Sequence, residues 1–265
     1  MSNEFNLNLL TTEDSYNNVF NSLKNKMNGR YLRFGDGDFN LARGEADMLS
    51  APTQELQVAF FNIFKNLKES DFISVNFHCK EYNMVENGMK PGIHETSHSM
   101  ASNCLRIIKY FQPNIKTIYS HIFLHHVMVE NPSKFKKMID LISENSHSLI
   151  LHSNTFDSFK LSYWFGCHYS VTCSPSNSFS EKNRILNDIA SLKIDNSRYL
   201  IVILAMGCGG RAMIDDIEKE IQKKTNTYFI FDIGSPIDAL MGFPNTRAWI
   251  EMTTPDLSKL ASISY

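Results

Sequence analysis

Three short stretches hold the residues best suited to chemistry. The first, "RFGDGDF" over 33–39, sets Asp36 and Asp38 on either side of Gly37, with Gly35 before them and Arg33 upstream. Two carboxylates at that spacing suit a hard divalent cation, which takes oxygen ligands and keeps positions open for phosphate. Arg33 would add a fork for phosphate oxygens, and the glycines let the backbone turn sharply against a ligand. The same residues also suit a simple acidic turn. The second stretch is "VILAMGCGGRAMIDDI", 202–217. An apolar strand runs into Gly207, Cys208, Gly209 and Gly210, and a helix follows. Such a turn aims backbone N–H groups at an anion, or else packs helix on strand with no ligand. The third, "YFIFDIGSP" over 228–236, ends a strand on Asp232, where an acidic residue can hold a ribose hydroxyl or sit in an ordinary loop.

Histidines give weaker signals. His152, in "LILHSNTFD", falls at a strand end and is a candidate catalytic group or a hydrogen-bonded structural one. His121, His125 and His126 in "SHIFLHH" lack the spacing and the further ligand that a zinc site needs.

The elements that must position these groups follow from periodicity. Residues 11–27 and 53–67 place apolar side chains at helical spacing, Leu56, Phe60, Ile63, Phe64 and Leu67 on one face of the second. Segments 131–144 and 211–224 read the same way. Short apolar runs at 30–35, 72–77, 115–123, 148–153, 169–175, 199–207 and 228–234 read as strands. Strands alternating with amphipathic helices predict a single α/β domain over 1–265, Rossmann-like, with a mostly parallel sheet covered on both faces. In such sheets ligands gather beyond the carboxyl ends of the strands, where all three stretches fall. Residues 80–100 form the one long irregular insert, and long loops in compact domains are usually functional or mobile.

Composition narrows the function classes. The 265 residues carry a formal charge of −2, so no global basic field recruits nucleic acid. Five cysteines, an odd number with no C-x-x-C spacing, argue against a disulfide scaffold and a structural zinc site, and fit a reducing compartment. The first residues lack a secretion signal, and the longest apolar run, 199–206, is too short to cross a membrane. A cytoplasmic protein without a transmembrane segment is expected, and the sequence is compatible with a homodimer.

Taken in order, these motifs resemble the GT-D type glycosyltransferases. That family carries an arginine, an aromatic residue and Gly-Asp-Gly-Glu near its start, then a late strand, glycine turn and helix, and then an Asp-Ile-Gly strand end. Here "RFGDGDF", "ILAMGCGGRAMIDDI" and "FDIGSPID" stand in that order, with "CSPSNSF" (173–179) similar to the family's middle loop. The resemblance covers roughly residues 30–240. It implies a transferase using a nucleotide sugar, a UDP-sugar foremost, with Mn²⁺ or Mg²⁺, and a glycan or glycoprotein acceptor. By position it assigns Asp36 and Asp38 to the metal, and Gly207–Gly210 to the nucleotide pocket. Arg33, Gly35, Gly37, Pro175 and Asn177 join the donor side, and Asp38, Asp232 and His152 are the candidate catalytic groups. Two departures stand out: Asp38 is one methylene shorter than the family's glutamate, and "GCGG" stands where the family often has Gly-Pro-Thr. Two other readings use part of the sequence. "MGCGG" before an acidic strand end also suits an adenosylmethionine-dependent methyltransferase, although few residues remain after it for further βα units. A nucleotide-binding module without catalysis would use the same glycines.

Overall fold

The computed structural model describes residues 6–75, 103–121, 123–145 and 147–243; the insert expected around 80–100 lies outside the described residues. Eight strands form one sheet: β1 (Asn8–Leu9), β2 (Gly29–Phe34), β3 (Phe72–Val75), β4 (Thr117–Ser120), β5 (His147–Ser153), β6 (Tyr169–Cys173), β7 (Leu200–Ala205) and β8 (Tyr228–Asp232). Their order is β1-β4-β3-β2-β8-β7-β5-β6. Every pairing is parallel, so the sheet is parallel throughout rather than mostly so.

Both sheet faces are covered, which is why β7 and β8 are continuous apolar runs instead of alternating ones. Leu200, Val202 and Leu204 of β7 join one core layer and Ile201 and Ile203 the other. The first layer is closed by the helices Asp36–Ala42, Gln54–Asn66, 103–111, Lys182–Ser191 and Ile214–Gln222, through residues such as Phe39, Phe60, Ile108, Ile185 and Ile217. The second is closed by Thr12–Lys24, Phe123–Glu130, Pro132–Asn145, Ser158–Phe165 and Pro236–Met241, through Val19, Met128, Ile139, Phe165 and Leu240.

Local chemistry sets the helix starts. Thr11 Oγ1 accepts from the Asp14 N–H at 3.0 Å and Thr53 Oγ1 from the Leu56 N–H at 3.1 Å, each satisfying a donor that the first turn leaves free. The two helices expected over 11–27 and 53–67 stand at Thr12–Lys24 and Gln54–Asn66. Elsewhere the boundaries moved. The expected strand 115–123 is only Thr117–Ser120, because a helix begins at Phe123. The expected helix 211–224 starts earlier, as Gly207–Ala212, breaks at Met213, and resumes as Ile214–Gln222. β1 went unforeseen, since two residues carry no period.

At the amino ends of the strands Arg30 is buried. It donates to Asp71 (2.9 Å from Nε), Asp215 (2.8 Å) and Glu218 (3.0 Å), tying β2 to the helix Ile214–Gln222. At the carboxyl ends the exits diverge. β2 and β7 lead into helices of the first layer, whereas β8, lying between them, leads into Pro236–Met241 of the second. Divergent exits from neighbouring parallel strands open a crevice.

Candidate active site

The crevice is built around one guanidinium. Arg211, in the last turn of the short helix Gly207–Ala212 after β7, donates from Nε to Asp38 Oδ1 (2.8 Å) and from Nη1 to Asp232 Oδ2 (3.1 Å). Its Nη2 reaches Cys208 Sγ at 3.3 Å. Asp38 comes from the helix that follows β2 and Asp232 from the end of β8, so residues far apart in the chain meet at the ends of three adjacent strands. Asp38 is wholly enclosed and Asp232 nearly so. Burial pushes the Asp38 carboxyl above the usual carboxylate range, opposed by Arg211 and by the Gly35 N–H. The Arg211 guanidinium stays charged, because the two carboxylates outweigh its burial.

Asp36, Gly37 and Asp38 do not form the turn expected of them. They are the first three residues of the helix Asp36–Ala42, and Asp38 reaches back to accept the Gly35 N–H at 2.7 Å, the helix-capping half of a capping box. Asp36 points to solvent. A side chain at Gly37 would lie 2.7 Å from Asp47 Cγ and 3.1 Å from Cys208 Sγ. The "GDG" glycine thus serves the close packing of this helix on Asp47 and the turn after β7.

Arg33 is held apart from the carboxylates. Strand alternation sends it to the opposite sheet face from Leu32 and Phe34. Its Nε donates to the His121 carbonyl (3.0 Å), Nη1 to the Ile233 carbonyl (3.3 Å), and Nη2 to His121 Nε2 at 3.5 Å. An arginine always donates, so His121 Nε2 accepts and its proton sits on Nδ1, a buried atom with no partner among the described residues. Burial, with Arg33 and Arg211 nearby, holds the His121 ring neutral. Gly234 makes room for this arrangement. Its backbone is left-handed (φ 62°), and a Cβ there would overlap Arg33 Nη1 outright.

The four residues of "GCGG" divide their work. Gly207, also left-handed at φ 59°, has open space where a Cβ would stand. Gly209 lies against the middle loop, its missing Cβ 2.8 Å from the Phe179 nitrogen, and Gly210 lies 2.9 Å from Met206 Cβ. Cys208 is buried between Arg211 and Asp47, its thiol pushed up by burial and by Asp38. In the middle loop Ser178 Oγ donates to the Met206 carbonyl (3.1 Å), and Asn177 pairs with the backbone of Leu49 and Ala51. Pro175 and Asn177 are exposed.

His152 stands away from this cluster. It is buried on β5, donates from Nδ1 to the Ser153 carbonyl at 2.7 Å, and accepts at Nε2 from Ser170 Oγ at 2.7 Å. Burial lowers its pKa. Both nitrogens are satisfied, as in a structural histidine. Among the upstream histidines, His125 Nε2 lies 3.0 Å from Ser235 Oγ beside the crevice, and the side chain of His126 lies outside the described residues.

Two groups escaped sequence reasoning, Arg211 and Asp47, and His121 was weighed only as a zinc ligand. Arg211 was legible in principle, since a basic residue one turn past a glycine-rich strand end sits over the neighbouring strand ends. Nothing in its spacing points to Asp38.

The fit of a divalent cation between Asp36 and Asp38 can be judged from these donors. Both Asp38 oxygens are engaged, one by an N–H and one by a guanidinium, and the group has no open face. Among the described residues no group of three or more His, Cys, Asp or Glu side chains converges as metal ligands do. As placed, the pair does not fit a cation.

No family model matches the chain, and no curated protein matches it. Solved structures do. The fold is similar to a new glycosyltransferase of domain of unknown function 1792 from Streptococcus sanguinis, at TM-score 0.59 and 18% identity, over 89% of this chain and 83% of that one. A second structure, described as giving domain of unknown function 1792 a distinct glycosyltransferase fold, matches at TM-score 0.54 and 14% identity over 86% and 78%. A selenomethionine-substituted structure of the same domain matches at 0.54 and 15% over 89% and 80%. The chain shares this α/β fold. Among the described residues no helix is long and apolar enough to cross a membrane.

Proposed function

We propose that this protein is a glycosyltransferase that moves a sugar from a nucleotide-sugar donor, a UDP-sugar foremost, to a hydroxyl of a glycan or glycosylated acceptor. One observation carries the reading: Asp38, Arg211 and Asp232 converge at the carboxyl ends of β2, β7 and β8, in a fold shared with a solved glycosyltransferase. The three motifs that resemble the family are thereby neighbours in space.

In the reaction the acceptor oxygen bonds to the anomeric carbon as the bond from that carbon to the donor phosphate oxygen breaks. The electron pair stays with the departing nucleoside diphosphate, and the acceptor proton ends in bulk water. Charge growing on the leaving oxygens calls for fixed donors in a partly dry site. Arg211 is such a donor, oriented by two buried carboxylates, and the open face of Gly207 gives the nucleotide an approach to the backbone. Asp38 and Asp232 act here as positioning residues for Arg211. No step is assigned to a metal ion. Cys104, Cys167, Cys173 and Cys208 are free, in keeping with a cytoplasmic setting.

The test is a panel of UDP-, GDP- and other nucleotide sugars, with adenosylmethionine included, read by thermal shift and by slow donor hydrolysis. At least one nucleotide sugar should raise the melting temperature and be hydrolysed, and Asp232→Asn should slow that hydrolysis. Stabilisation by adenosylmethionine alone would overturn the reading in favour of a methyltransferase. Binding of a nucleotide sugar with no turnover in the presence of varied acceptors would overturn it in favour of a binding module.

A further inference from the structure

The carboxylate expected to grip a cation already grips a guanidinium. Of the trio at the crevice, Asp38 is fully enclosed and the side chain of Asp232 is 3% exposed, whereas that of Arg211 is 13% exposed. Of the three, Arg211 has the most exposed side-chain surface. A divalent cation would need an open carboxylate oxygen within roughly 2.0–2.6 Å. Asp38 offers none without expelling Arg211 and leaving Asp232 buried and unpaired.

Arg211 is placed for a different task. A guanidinium has five N–H groups in a rigid fork, and Asp38, Asp232 and Cys208 account for three of them. One N–H remains on each terminal nitrogen, and a guanidinium N–H is a strong donor to phosphate oxygen. The His121 ring lies 3.6 Å from where a Gly35 Cβ would stand, and its buried Nδ1 has no partner among the described residues. The buried charges cancel, Arg33 and Arg211 against Asp38 and Asp232, so an anion would be held by directed hydrogen bonds more than by net charge.

We propose that Arg211, and not a divalent cation held by Asp36 and Asp38, is the ligand of the donor's diphosphate, so that nucleotide binding by this chain is independent of metal. The inference rests on the nucleotide-sugar reading above. It makes Arg211 the group that faces the charge developing on the leaving phosphate.

Calorimetric titration of UDP into the full chain tests this, in EDTA and again in Mn²⁺, for the wild type, Asp36→Asn and Arg211→Lys. The dissociation constants of the wild type and Asp36→Asn should agree within about threefold between the two buffers, and Arg211→Lys should weaken binding about tenfold or more, the loss of a charge-assisted fork. UDP binding that needs Mn²⁺, or that Asp36→Asn abolishes, would overturn the metal-independent site while leaving the nucleotide-sugar reading in place. No binding of UDP in either buffer, joined to failure of the whole donor panel, would overturn both. Melting curves establish whether Arg211→Lys is folded, and the wild-type comparison by itself decides whether nucleotide binding needs a metal.

Discussion

Replacing Gly234 by alanine should dislodge Arg33, and Gly207→Ala supplies the reference. Both positions have left-handed backbones, φ 62° and φ 59°. For an L-residue that conformation costs about 1–2 kcal/mol, offset by about 0.4–1 kcal/mol from the stiffer unfolded chain. Gly207→Ala has nothing else to pay for, because its Cβ would meet open space; about 1 kcal/mol is expected. At Gly234 the new Cβ would overlap Arg33 Nη1 and lie 2.6 Å from Cζ. On a surface the end of an arginine would simply swing aside. Here the residue is 6% exposed and is pinned to the carbonyls of Ile233 and His121. Giving up one or both of these charge-assisted bonds adds about 1.5–3 kcal/mol each, for a total on the order of 2.5–7 kcal/mol. Urea denaturation reads both variants directly. In thermal melts the gap between them should be about 3–24 °C, at about 2–4 °C per kcal/mol for a chain of this size. Equal losses for the two variants would refute the reasoning, since Arg33 would then be free to move.

The other expectations concern the buried ionic groups. Asp71→Ala should cost about 3–5 kcal/mol in urea denaturation, because it strips the buried Arg30 of its two-point partner; a loss under 1 kcal/mol would mean that Asp215 and Glu218 suffice. The folded-state pKa values of His121 and His152 both lie below the ordinary histidine value. These rings stay neutral in the fold while the unfolded chain takes up protons, so their stability contribution is full above pH ~6.5 and falls as the pH drops below it. For His152 the effect should appear as urea midpoints that fall between pH 7.5 and 5.5. His152→Gln should flatten that fall, and an unchanged fall would contradict the assignment. Gly209→Ala should also destabilise despite its ordinary backbone, because the Cβ would press on Ser178 and Phe179; a melt unchanged from wild type would show that the middle loop yields.

Most of the fold was legible because its signals are local. The spacing of Leu56, Phe60, Ile63 and Phe64 needs only the helical period, and "LIVILA" needs only a strand covered on both faces. The parallel α/β class follows from their alternation. What stayed hidden depends on meetings across the chain. Strand alternation is readable, yet it took the register of β2 beside β8 to show that Arg33 faces the Ile233 carbonyl and Gly234 instead of the aspartates. The strand-end position of His152 suited a catalytic or a structural histidine alike, and only the packed sheet sets Ser153 and Ser170 on its two nitrogens.

The Asp-Gly-Asp pair states the division most clearly. The amino-acid order fixes two carboxylates near a strand end and a glycine turn near another, and that suffices to mark both as candidates for anion or cation chemistry. Which ion they meet is a matter of neighbours. The parallel order β2-β8-β7 brings Arg211 between Asp38 and Asp232, and a buried carboxylate takes the nearest well-aligned donor. Sequence spacing sets which groups exist and how far each can reach, whereas only the packed sheet decides which of them share a dry space.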